Sequence, residues 1–71
     1  MHQLCTPPEL AANIRAELAR RQLTIRQMCD TLHIGINTIN QISAGAYPRL
    51  ETLYHIAEYI GVTVNDLIYR P

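Results

Sequence analysis

A break without proline, at His33-Ile34-Gly35, constrains the fold of this chain more than any other feature. Residues 29–40 are CDTLHIGINTIN, and the segments on both sides of the break have the apolar spacing of short helices. A turn of only about three residues cannot lay two helices side by side, so they must cross at a steep angle. The second of these helices is then expected to protrude from the domain.

Capping signals and apolar periodicity predict five short helices and no strand. The helix starts are marked by Thr6 with Glu9, by Thr24 with Gln27, by Gly35 or Asn37, and by Thr63 with Asp66. The fourth helix is indicated by a core stripe of Leu50, Leu53, Ala57 and Ile60. We therefore expect one all-α domain over residues 6–69, preceded by a flexible N-terminal end at residues 1–5.

Composition is that of a folded, soluble and intracellular protein, which we expect to be cytoplasmic. The chain has 71 residues, of which 48% are hydrophobic, and no apolar run approaches the ~20 residues that span a bilayer. It has no charged start followed by an apolar block, as a secretory leader has. Its formal net charge is zero, so any binding to nucleic acid must depend on the local arrangement of side chains.

Catalytic and metal sites find little support in the sequence. A single serine, no lysine and no glycine-rich loop exclude a nucleophile–base pair and a phosphate cradle, so we expect no enzyme and no cofactor. Cys29 and His33 have the i, i+4 spacing of metal ligands, and His2 with Cys5 could complete a zinc site. Cys29 is better explained as a small core residue and His33 as a turn residue. We expect no metal, and both cysteines to be reduced.

The third helix is expected to turn Ile36, Asn37, Asn40 and Gln41 outward. Side-chain amides donate and accept hydrogen bonds together, which matches the edge of adenine in the major groove, and Ile36 could contact a thymine methyl group. On an isolated helix such residues are more often simply solvated. On the protruding member of a steeply crossed pair, they favour a helix-turn-helix that binds DNA.

The stretch from Leu23 to Leu67 resembles the phage repressor and Cro-like helix-turn-helix family, also called the XRE class. The matching residues are Met28, Cys29, Leu32, Ile34, Thr38-Ile39, Ile42, Gly45, Pro48, Leu50-Glu51-Thr52-Leu53, Ala57, Ile60-Gly61-Val62 and Leu67. The resemblance implies a compact, lambda-repressor-like domain that binds double-stranded DNA and regulates transcription, as a repressor in a bacterium or phage. A small side chain at Cys29 would let two helices cross closely.

Three positions depart from the family pattern. The family usually has Gln where this chain has Ile25, Gly where it has His33, and Glu where it has Ser43. Ile25 has no amide to make the contact with DNA that this Gln makes, and the ion pair expected at the end of the third helix is missing. His33 keeps the turn feasible, because histidine adopts left-handed backbone more readily than most residues.

The resemblance also assigns site residues. The base readers would be Ile36, Asn37 and Gln41, with Asn40 nearby. The phosphate contacts would come from Arg26 in the second helix and from Tyr47 and Arg49 in the loop after the third. Taken singly, each arginine could equally be a solvated surface charge.

A homodimer is a further expectation. Tyr54, Ile56, Tyr59, Ile68 and Tyr69 extend beyond one core face, so they either widen the core or form a patch for a second subunit. Two half-sites about 34 Å apart give a specific affinity that a single small module seldom reaches. The alternative function is a protein-interaction module, antitoxin- or antirepressor-like, with the same fold and little affinity for DNA.

Overall fold

The computed structural model describes residues 3–69, which form five α-helices. They are α1 (Pro7–Arg20), α2 (Ile25–Leu32), α3 (Asn37–Ser43), α4 (Leu50–Ile60) and α5 (Val64–Ile68). The expected five-helix, all-α architecture is confirmed. No helix of the described residues is both long enough and apolar enough to cross a membrane.

Three of the helices begin at the capping boxes that the sequence predicts. The hydroxyls of Thr6, Thr24 and Thr63 each accept a hydrogen bond from the backbone N–H three residues later. In the third box, hydrogen bonds from the backbone and side chain of Thr63 lower the pKa of Asp66. The start of α3 differs from the expectation, because its cap residue is Ile36, which makes no side-chain hydrogen bond.

Left-handed backbone ends α1, α2 and α4, at Gln22, His33 and Gly61. In each case the following N–H donates to a carbonyl five residues back, over 2.9 to 3.0 Å, which is the Schellman pattern. The feasibility of the turn at His33 is confirmed, since its φ is 57°. This left-handed residue stops α2 without proline, and residues 33–36 lead directly into α3.

One buried cluster draws on all five helices. Its members are Cys5, Leu10, Ala11, Ile14, Leu18, Met28, Cys29, Ile39, Ile42, Leu53, Ile56, Ala57, Ile60 and Leu67. The predicted core stripe of α4 is wrong at Leu50, which is 62% exposed. Leu50 is the first residue of α4, and helical side chains point back towards the N-terminus, so its side chain extends beyond the packed part of the helix.

The N-terminal segment, residues 3–5, packs against α5. Leu4 forms an antiparallel bridge with Tyr69, and the N–H of Cys5 donates to the carbonyl of Ile68 over 2.7 Å. Cys5 itself is only 1% exposed. Contrary to the expectation of a flexible end at residues 1–5, Leu4 and Cys5 thus belong to the folded domain, held there by backbone hydrogen bonding. Residues 1–2 lie outside the described residues.

Candidate nucleic-acid interface

The third helix buries one face and exposes the other. Ile39 and Ile42 are buried in the core, and α3 packs against α1. The opposite face carries the four residues predicted to read bases, which are all exposed: Ile36, Asn37, Asn40 and Gln41. No hydrogen bond within residues 3–69 occupies their side-chain amides. The donors and acceptors of this face are therefore available to a ligand.

The arginines differ in how far their charges are already neutralised. Nη1 of Arg20 lies 2.8 Å from one carboxylate oxygen of Glu17, and Nη1 of Arg21 lies 2.7 Å from the other. Arg26 and Arg49 are exposed, and within residues 3–69 neither has an ion-pair or hydrogen-bond partner. The two arginines that the resemblance assigns to phosphates are thus free to bind an anion.

Arg15, which the sequence did not single out, joins α1 to α3. Its Nη2 donates to the hydroxyl of Ser43 over 3.1 Å. Ser43 stands where the resembled family usually has Glu, so a hydrogen bond from a charged guanidinium to an uncharged hydroxyl stands in place of the missing ion pair. The two residues are 28 positions apart, and no local pattern in the sequence indicates such a contact.

Tyr47 does not point a free hydroxyl at solvent, as a phosphate contact requires. Its O–H donates to the backbone carbonyl of Cys5. A phenol has a single proton to donate, so in this conformation none remains for a phosphate oxygen. The predicted phosphate contact of Tyr47 therefore has a competing partner within the chain.

The five residues predicted as a dimer patch do not share one surface. Ile56 is 0% exposed and belongs to the core, so it is not available to a partner. The reason is that α4 packs against both α2 and α5, so these two helices cover more than one face of α4. Tyr59 and Ile68 pack partly against the core, and Tyr69 pairs with Leu4. Of the five, Tyr54 alone is largely exposed, at 59%.

Metal ligands do not cluster in the part of the chain that the structure describes. No group of three or more His, Cys, Asp and Glu side chains there could hold a metal ion. Cys29 is buried, and desolvation, with the nearby charge of Asp30, raises the pKa of its thiol. A raised pKa disfavours the thiolate that binds metals. Both Cys5 and Cys29 are free thiols, and His2 lies outside the described residues.

A left-handed turn followed by a helix with an exposed amide face is what a helix-turn-helix requires, and comparison with known families finds such a motif. The family model of the Cro/C1-type helix-turn-helix DNA-binding domain matches residues 13–71. The chain belongs to this family. No curated protein and no solved structure matches it. The resemblance to phage repressors and Cro is thereby confirmed, and a Cro/C1-type domain is a module for binding DNA rather than an enzyme fold.

In this Cro/C1-type domain, α2 and α3 are the two helices of the helix-turn-helix, and residues 33–36 form its turn. Sequence reasoning missed the long-range hydrogen bonds made by the side chains of Asn13, Arg15 and Tyr47, of which that of Arg15 reaches α3. They join residues 54, 28 and 42 positions apart. Asn13 alone had a local signal, as a polar residue beside the apolar stripe of α1.

Proposed function

We propose that this protein binds specific sequences of double-stranded DNA and regulates transcription as a repressor, by inserting α3 into the major groove. The observation that carries the proposal is the exposed face of α3, whose amides are unpaired within residues 3–69 while Ile39 and Ile42 on the other face are buried. The major groove is about 12 Å wide and admits one helix of this kind. A bound domain also blocks other proteins from the same DNA, which is the simplest route to repression.

The base contacts come from the start of α3. In a helix-turn-helix, the N-terminal residues of the second helix touch the base edges. Asn37 and Gln41, one turn apart, can each pair with an adenine through two hydrogen bonds, and Asn40 lies beside them. Ile36, 49% exposed, offers an apolar contact to a thymine methyl group.

The phosphate contacts come from Arg26 and Arg49, which have no partner within residues 3–69. Arg26 lies in the first turn of α2, the helix that crosses the DNA backbone in this motif. Arg49 lies at the start of α4, just after the loop that follows α3. Contacts to phosphate fix the orientation of the domain and add affinity without sequence information.

The test is a selection of bound duplexes from a random pool, repeated with single variants. Asn37→Ala and Gln41→Ala are each expected to lose about 1–3 kcal/mol of discrimination at one base step. Asn65→Ala is the matched control, since Asn65 is an exposed amide on α5, away from the motif, and should leave the preferred sequence unchanged. An identical preference in all three variants would remove Asn37 and Gln41 from the site.

A second candidate function is a protein-interaction module with the same fold. Two observations favour it: the formal net charge is zero, and Glu17 already neutralises the charges of Arg20 and Arg21. A titration against random duplex at low salt separates the two functions. A DNA-binding domain should associate with a Kd below roughly 10⁻⁴ M, because its phosphate contacts are independent of sequence. No association would favour the interaction module.

A further inference from the structure

The loop between α3 and α4, residues 44–49, is joined to the N-terminal segment by one side chain. The hydroxyl of Tyr47 donates to the carbonyl of Cys5, 42 positions earlier in the chain. The other hydrogen bonds at the start of the loop are local, such as that from the N–H of Ala46 to the carbonyl of Gln41 over 3.0 Å. Among the described residues, Tyr47 therefore makes the one hydrogen bond that holds this loop against a distant part of the chain.

The acceptor of this hydrogen bond is held in place from two sides. The N–H of Cys5 donates to Ile68 at the end of α5 over 2.7 Å. The amide of Asn13 on α1 donates to Sγ of Cys5 over 3.2 Å and to the carbonyl of Leu67 over 3.0 Å. Because α1 also packs against α3, the Cys5 carbonyl has a fixed position relative to the exposed face of α3.

Arg49 lies at the other end of the same loop. It is separated from Tyr47 only by Pro48, whose ring fixes its own φ near −65°. The backbone carbonyl of Arg49 accepts from the N–H of Leu53 over 3.0 Å at the start of α4, so only Pro48 separates this fixed point from Tyr47. The guanidinium of Arg49 has no partner within residues 3–69. At the start of the loop, Gly45 has φ 116°, which only glycine adopts readily, so the turn out of α3 depends on this residue.

We propose that Tyr47 is a positioning residue, which holds the loop on Cys5 and thereby fixes Arg49 where it contacts a DNA phosphate. The inference rests on the proposed function and assigns the N-terminal segment a part in it. It differs from the assignment of Tyr47 as a direct phosphate donor. An uncharged hydroxyl releases no counterion when it binds phosphate, whereas a misplaced Arg49 lowers the number of counterions released.

The test measures affinity for a duplex of random sequence over a series of salt concentrations. Arg49→Ala should reduce the slope of log K against log salt by about 0.9 for each bound protomer. Tyr47→Phe should weaken binding roughly two- to tenfold, the effect of one hydrogen bond, and should reduce the slope part of the way towards that of Arg49→Ala. In the double variant, Tyr47→Phe should have no further effect, since the arginine it positions is absent.

Thr31→Val is the matched control, since it removes an exposed hydroxyl that has no partner within residues 3–69. All variants are compared below their unfolding temperatures, so that a loss of stability alone changes neither affinity nor slope. A wild-type slope for Tyr47→Phe, or additive losses in the double variant, would overturn the inference while leaving DNA binding intact. If Arg49→Ala kept the wild-type slope, or the wild type bound no DNA, the proposed phosphate contact would fail and this inference with it.

Discussion

His33 shows how a single residue defines the motif, because its left-handed backbone ends α2. That conformation costs a residue with a Cβ roughly 1–2 kcal/mol, whereas glycine adopts it freely. We expect His33→Gly to raise the free energy of unfolding by about 0.5–1 kcal/mol. The gain is smaller than the relieved strain, because glycine has more entropy than histidine in the unfolded chain. His33→Val is expected to lower it. Urea denaturation measures both, and a destabilised His33→Gly would show that the imidazole makes a contact that outweighs the backbone strain.

Cys29 tests packing at the same scale. It is buried on α2, which packs against α4, and a larger side chain there has no room without moving the helices apart. Cys29→Leu should lower the free energy of unfolding by about 1–3 kcal/mol. Cys29→Ala, which adds no volume, serves as the control in the same denaturation experiment. An unchanged denaturation midpoint for Cys29→Leu would show that the side chain at position 29 does not lie on the tightly packed face of α2.

At the scale of the element, the helices of the motif start in different ways. Helix α2 begins at the capping box of Thr24 and Gln27, while α3 has no side-chain cap. Helices this short are not stable alone, so capping and packing must supply their stability. Thr24→Ala should lower the free energy of unfolding by about 1 kcal/mol, and Thr24→Ser, which keeps the hydroxyl, should change it little. Equal effects of the two substitutions in thermal unfolding would show that the cap hydrogen bond is not what matters.

At the scale of the whole molecule, Asn13 joins the N-terminal segment, α1 and α5. Its loss leaves the carbonyl of Leu67 without this donor in a partly buried place. We expect Asn13→Ala to lower the free energy of unfolding by about 1–3 kcal/mol. The exposed amide of Asn65 provides the control, since Asn65→Ala should stay within about 0.5 kcal/mol of the wild type. Comparable destabilisation by both variants would argue against a special role for Asn13.

A dimer is the remaining proposal at this scale. With Ile56 buried, we propose that the interface includes Tyr54, the one member of the predicted patch that stays largely exposed. Tyr54→Glu should shift the protein to monomers in sedimentation equilibrium. For the wild-type dimer, the proposed phosphate contacts of Arg26 and Arg49 in each subunit predict a log–log salt slope of about −3 to −5. A wild type that stays monomeric at all concentrations, or a slope near −10, would contradict this assembly.

The sequence by itself determined the three threonine caps, the stop at His33 and the outward face of α3. These features depend on residues within about one helical turn of each other, where spacing and backbone preference decide the outcome. The prediction of a phage repressor and Cro-like DNA-binding domain came from the resemblance of Leu23 to Leu67 to that family, and the family comparison confirms it.

Only the tertiary structure decided which side chains the fold covers and which distant residues meet. Leu50 is exposed and Ile56 buried because α2 and α5 flank α4 at positions that the period of one helix does not report. The contacts of Cys5 with Tyr47, Asn13 with Leu67 and Arg15 with Ser43 join segments far apart in the chain. Such pairs are set by how the packed helices bring their surfaces together, and local sequence carries no record of that arrangement.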